Sequence, residues 1–207
     1  MNISSDKVFL SCDTEQIFLE RNGIEEVLWE KLVLLWKTYH FTKVYVVNWP
    51  WWFTNLRVGS IALNLLNSFA EHQISFYSFS KIDLYKFGYF EEKSLPQYWI
   101  IYIGQKRNVW IWNFDENQLV CQTTFDQIST VLNQKHIRDY QIFFDVVYDS
   151  WYYDQEFSGY KHLSSDEFFS LMQHYCQNTT ILDSKEIHAN YMMDPLITPS
   201  KKKFILS

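Results

Sequence analysis

Glycine is scarce in this chain. Five of 207 residues are glycine, and tryptophan outnumbers it with nine, although glycine is ordinarily among the commonest residues. Loops that cradle a phosphate use glycine so that backbone N–H groups can approach the ligand. No G-x-G-x-x-G, P-loop, G-x-S-x-G or H-E-x-x-H motif occurs. Cysteine is scarce too. Cys12, Cys121 and Cys176 are odd in number, far apart and without C-x-x-C spacing. They read as reduced, mostly buried thiols of a cytoplasmic protein. Positive charge is in deficit: the formal net charge is −6, and the one basic run, Lys201–Lys203, reads as a solvated tail. This balance argues against a dedicated nucleic-acid binder, which would carry a basic face. No apolar run approaches transmembrane length, and residues 1–7 hold no apolar h-region, so no membrane association is expected. His40, His72, His136, His162, His174 and His188 show no ligand spacing. No metal, no cofactor and no catalytic residue is expected.

What is abundant is aromatic. With 17 Phe, 14 Tyr and 9 Trp, the chain has ample material for a core, in one large domain or two small lobes. Lys7–Cys12 and Gln16–Glu20 read as two strands around a tight turn at Asp13-Thr14-Glu15. A helix follows over about Glu25–Tyr39, with Glu25 and Glu26 at the positive end of its dipole. Lys43–Val47 reads as a buried strand, Leu56–His72 as a second helix, Ile74–Phe79 as a strand and Ser80–Phe87 as a short helix. Lys93–Gln97, with Pro96, is the predicted boundary between lobes 1–95 and 96–207. Strands are then predicted at Tyr98–Ile103, Asn108–Phe114, Gln118–Thr123 and Tyr140–Val147, with helices at Asp126–Asn133 and Ser164–Gln177. Each half opens on antiparallel strands and then alternates helices with buried strands. The order implies an α/β fold with mixed sheets.

Both long helices carry more apolar surface than one core requires. At about 100° per residue, Leu28, Leu32, Leu35 and Tyr39 form one stripe of the first, and Trp29, Val33 and Trp36 a second. On the second helix Val58, Ile61, Ala62, Leu65 and Phe69 form one stripe, taken as core. Gly59, Leu63, Leu66 and Ala70 form the other, with Asn64, Asn67 and Ser68 on the wet side. From pattern alone, two-sided burial is the commoner outcome, and docking onto another protein is the alternative. Asp145, Asp149, Asp154 and Glu156, set among Tyr148, Trp151, Tyr152 and Tyr153, read as a solvated loop rather than an acid/base pair.

The stretch NWPWWFTNLRVG, residues 48–59, resembles the Gly-Pro-Gly-Ser-Phe-Thr-Gly-Leu-Arg-x-Gly loop of the TsaB family, through Pro50, Phe53, Thr54, Leu56, Arg57 and Gly59. Leu10-Ser11-Cys12-Asp13-Thr14 is similar to that family's opening strand, which ends in Asp-Thr. Residues 103–110 and Asp194-Pro195-Leu196 resemble later segments. Trp49, Trp51 and Asn55 stand where the family has glycine, and Trp52 where it has serine. Tryptophan on family glycines is also what UGA codons would leave if a lineage that decodes them as glycine were translated with tryptophan.

The resemblance implies a two-lobed actin/Hsp70-like (ribonuclease H-like) fold. It implies an inactive partner of the catalytic subunit TsaD, joined as a heterodimer, in tRNA threonylcarbamoyladenosine biosynthesis. A TsaE-like ATPase as further partner, tRNA contacted only indirectly, and a homodimer in isolation are compatible with it. The family's partner contact uses the first two helices, which favours the docking reading for Trp29, Val33, Trp36, Leu63, Leu66 and Ala70. It also implies that Arg57 is structural, with Asp13 as its nearest partner. The alternatives are a residual ATP-dependent or glycoprotease-like enzyme of the same fold, and an aromatic-rich binding module built on Trp49, Trp51 and Trp52.

Overall fold

The computed structural model describes the chain apart from residues 5, 6, 14, 21, 49–52, 103–107, 145–159 and 190–207. The acidic–aromatic cluster, the lysine run, Asp194–Leu196 and Gly104–Arg107 lie outside the described residues.

Short alternating runs make the strands. β1 (Val8–Cys12) and β2 (Glu15–Leu19) form an antiparallel hairpin, with Val8 opposite Leu19 and Cys12 opposite Glu15. Asp13 turns the corner at φ 52, a left-handed conformation that Asp tolerates better than most residues. β3 (Lys43–Val47) and β4 (Ser75–Phe79) pair in parallel, linked by the crossover helix α2 (Phe53–Phe69). Sequence reading missed what joins hairpin to sheet. Asn2 bridges Phe9 on one side and Val47 on the other, and Ile3 N–H donates to the Val47 carbonyl at 3.2 Å. Met1–Ser4 therefore fills the space between the hairpin and β3. It is too short to show a period-2 pattern.

In the second half β5 (Tyr98–Tyr102), β6 (Asn108–Asn113) and β7 (Gln118–Thr124) run antiparallel. β8 (Ile142–Phe144) and β9 (Lys161–His162) extend the β5 edge in parallel. The turn through Asp115-Glu116-Asn117 carries Asn117 at φ 51.

Alternation along each strand sends residues to two sides. Val8, Leu10, Val46 and Phe76 pack under α1 (Ile24–Tyr39) and α2. Phe9, Val47 and Phe79 point the other way, to α3 (Lys81–Phe90) and α5 (Ser165–Asn178). The same middle layer takes Trp99, Ile101 and Phe143 from the second sheet. Ile100, Ile142 and Phe144 face α4 (Ile128–Gln134). The result is five layers: helix pair, sheet, helix pair, sheet, helix. Aromatic rings fill the middle one, with Tyr85 edge-on to Trp99 at 4.8 Å and to Phe143 at 5.3 Å.

Two serine caps hold the middle helices. Ser80 accepts from Asp83 N–H at 3.0 Å, and Ser164 from Glu167 N–H at 3.2 Å. Ser164 is thus the cap of α5, and the Glu three residues on completes a capping box. The predicted boundary at Lys93–Gln97 is the link between α3 and β5. The C-terminal segment crosses it, since β10 (Asp183–Ser184) pairs antiparallel with β4 in the first half's sheet.

Candidate partner-binding face

On α1 the expected division holds: Leu28, Leu32 and Leu35 are buried, while Trp29, Val33 and Trp36 are half-buried on the flank beside α2. On α2 it is reversed. Leu63 and Leu66 have no exposure and Ala70 2%, so these three belong to the chain's own core. The stripe read as core is split: Ala62 is buried and Val58 half-buried, but Ile61 is 51%, Leu65 55% and Phe69 50% exposed. The cause lies at Gly59. A Cβ there would stand 2.6 Å from Ile3 Cγ2, so the small residues mark the face that meets the sheet. Phe69 closes the joint between the helices. Its ring is edge-on to Trp29 at 6.3 Å and to Trp36 at 5.6 Å. The apolar face that this chain leaves open is therefore Trp29, Val33 and Trp36 with Ile61, Leu65 and Phe69.

Asn64 and Asn67 are not on a wet side either. Asn67 is buried and donates to the Lys185 carbonyl at 2.8 Å while accepting from Ile74 N–H at 2.9 Å. Asn64 donates to the Ile187 carbonyl at 2.9 Å and accepts from Ile187 N–H at 2.8 Å. Asn48 donates to the His188 carbonyl at 2.7 Å. Residues 183–189 cover this side of α2. The signal was present: two asparagines three apart on an apolar helix can satisfy backbone that a hydrophobic cover cannot.

Of the loop residues, Thr14 and Pro50 lie outside the described residues, as do Trp49, Trp51, Trp52 and the Phe53 side chain. Phe53 supplies the first residue of α2, Thr54 is half-buried, and Leu56 is in the core. Arg57 is exposed and forms no ion pair with Asp13. Met1–Ser4 lies between the hairpin that carries Asp13 and the strand that leads into α2, so the expected Arg57–Asp13 pair is not made. Asp13 instead borders a cleft of about 380 Å³ with Cys12, Lys43, Tyr45 and Met172.

The thiols are poor nucleophiles. Burial pushes Cys176 up to about 11, against a smaller opposing pull from the N-terminal charge. Burial also raises Cys12, helped by the Asp13 and Glu15 carboxylates. Among the described residues no three His, Cys, Asp or Glu side chains stand together as a metal site. No helix among them is long and apolar enough to cross a membrane. Trp29, Trp36, Trp99, Trp110 and Trp112 all pack in hydrophobic clusters, with the indole N–H groups of Trp99 and Trp112 buried without a hydrogen-bond partner.

No family model matches this chain. No curated protein matches it at a significant level. Two solved structures are similar to it in shape. One is described as an uncharacterized protein with similarity to peptidase YeaZ from Pseudomonas aeruginosa, at 12% identity and TM-score 0.49, over 93% of this chain and 97% of that one. The other is YeaZ from Pseudomonas aeruginosa, at 10% identity and TM-score 0.42, over 88% and 92%. YeaZ is another name of TsaB. At these scores neither likeness assigns a family or a function.

Proposed function

We propose that this chain is a scaffold subunit of the TsaB type, of two-lobed actin-like build. It pairs with a TsaD-like catalytic subunit and so supports threonylcarbamoyl transfer to the adenosine beside the anticodon of tRNA. It does no chemistry itself and meets tRNA only through its partner. The observation that carries this reading is the open apolar face of α1 and α2. Ile61, Leu65 and Phe69 are each about half exposed beside two indoles, a patch that a free-standing monomer seldom presents. The Phe-Thr-x-Leu-Arg core of the loop at α2 agrees with it.

The test is co-elution with the TsaD-like subunit of the same cell, read beside a thermal melt. Wild type should co-elute. Leu65→Glu should abolish co-elution while leaving the melt intact, because the carboxylate is buried unpaired only in the complex. Trp36→Ala should weaken association by about 2 kcal/mol. A complex that survives Leu65→Glu would remove this face from the reading; a wild-type chain that never co-elutes would remove the reading itself.

A further inference from the structure

The side of α2 opposite the open face is covered by an extended segment, Asp183–Ala189, held in an unusual way. Strand pairing and three asparagines hold its backbone, and the Lys185 ammonium donates to the Ile74 carbonyl at 3.4 Å and to Ser75 Oγ at 3.1 Å. Asp183 and Ser184 pair with Tyr77 and Phe76 of β4. Asn67 holds the Lys185 carbonyl, Asn64 holds both N–H and carbonyl of Ile187, and Asn48 holds the His188 carbonyl. Only Ile187 is fully sunk, at 2% exposure, with Ala189 partly buried two residues on. Asp183, Ser184, Lys185, Glu186 and His188 are exposed. Backbone capture plus one deep side-chain pocket is how proteins bind extended peptides by strand addition.

We propose that the channel formed by β4, Asn48, Asn64 and Asn67 is a binding site for an extended peptide. Residues 183–189 are its resident ligand, docked and released as a unit. Three observations carry this. The segment's regular pairing is two residues long, so little sheet must break to free it. It is tethered to α5 by residues 179–182, where Ile181 packs against the middle layer and Leu182, the last residue before the segment, is 86% exposed. Asn48 is 7% exposed, and its Oδ1 has no hydrogen-bond partner although buried. It is an open acceptor at the far end of the channel, suited to an N–H of a peptide backbone. The partner that fits is an extended segment with a β-branched residue at the Ile187 position and a small one two places later.

The experiment uses the full chain and a fluorescent peptide of residues 181–189. Ile187→Asp should release the resident segment, because a carboxylate cannot occupy that pocket. The peptide should then bind saturably to Ile187→Asp and at least about tenfold more weakly to wild type, whose channel is filled. Ile187→Asp combined with Asn64→Ala should lose about tenfold or more of that binding, since Asn64 supplies two of the backbone bonds. A cooperatively folded Ile187→Asp chain that ignores the peptide overturns the proposal, as does equal binding with and without Asn64. Hydrogen exchange on wild type decides the matter if Ile187→Asp does not fold. Amides of residues 185–189 should exchange through an opening that leaves β3 and β4 protected. Exchange only with global unfolding would show a fixed segment, and the proposal would fall.

Discussion

Helices α1 and α2 lie side by side on one sheet and look alike as sequences. Each is 16 or 17 residues long and each has two apolar stripes. On α1 the leucine stripe goes in and the tryptophans sit at the flank. On α2 the large residues Ile61, Leu65 and Phe69 stay out, and the inward face holds Gly59, Ala62, Leu63, Leu66 and Ala70. Total apolar area does not separate the two cases. The contact with Ile3 does, because Gly59 lets α2 approach it closely and so turns the face of Gly59, Leu63 and Leu66 to the sheet. The asparagines add a second lesson. On α1 polar residues mark solvent, whereas on α2 they mark covered backbone.

Six substitutions would break or sharpen this contrast. The largest effect belongs to Leu63→Glu, which buries a charge with no partner and should cost about 4 kcal/mol, enough to erase a cooperative melt. Leu65→Glu, two residues away, should change the melt by about 0.5 kcal/mol at most. Circular dichroism on the pair decides which stripe is core, and equal melts would reverse the assignment. Gly59→Ala comes next. Its Cβ meets the branched part of Ile3 rather than a flexible end, so crowding should cost about 2 kcal/mol by denaturant titration. No measurable loss would mean that the helix can stand off from the sheet.

Asn64→Ala follows at about 1.5 kcal/mol, since it strands the buried N–H and carbonyl of Ile187. Ser68→Ala, on the exposed side, is the control and should be silent. The smallest effect concerns how the helices end. α1 stops at His40 in a left-handed conformation, φ 47, and α2 is followed by Glu71 and His72 at φ 52 and φ 60. Glycine would relieve strain of about 1 kcal/mol at each, partly offset by a looser unfolded chain. His40→Gly should therefore raise the melting temperature slightly; a fall would show that the His40 contact with the Trp36 ring, at 5.8 Å, outweighs the strain.

Much of the fold was legible because it is periodic. Lys43–Val47 is a β-branched run between turn residues, and it is a strand over those same residues. Leu28, Leu32 and Leu35 of α1 fall on one side of a helix, and they are its buried side. What escaped has no period. Met1–Ser4 is a bridging segment whose neighbours, Phe9 and Val47, are chosen by tertiary structure. Residues 183–189 alternate weakly and are held by side chains more than 110 positions earlier. The candidate face was half legible. Trp29, Val33 and Trp36 were read as a second stripe beside the leucines, and they lie half-buried at the α2 flank. Leu63, Leu66 and Ala70 were exchanged for Ile61, Leu65 and Phe69, because a wheel of apolar residues does not say which of two stripes lies nearer the sheet.

The late return of Asp183–Ala189 has a consequence for synthesis. A ribosome delivers the hairpin, α1, β3, α2 and β4 first, and domains ordinarily close in that order, N-terminal part before C-terminal. Here Asn48, Asn64 and Asn67 emerge early, and the carbonyls they hold are made more than 110 residues afterwards. Until then one flank of α2 and the β4 edge stand uncovered on the nascent chain. The first half is built early and sealed late, and a message cut short before codon 183 would release a protein whose oldest part had never closed.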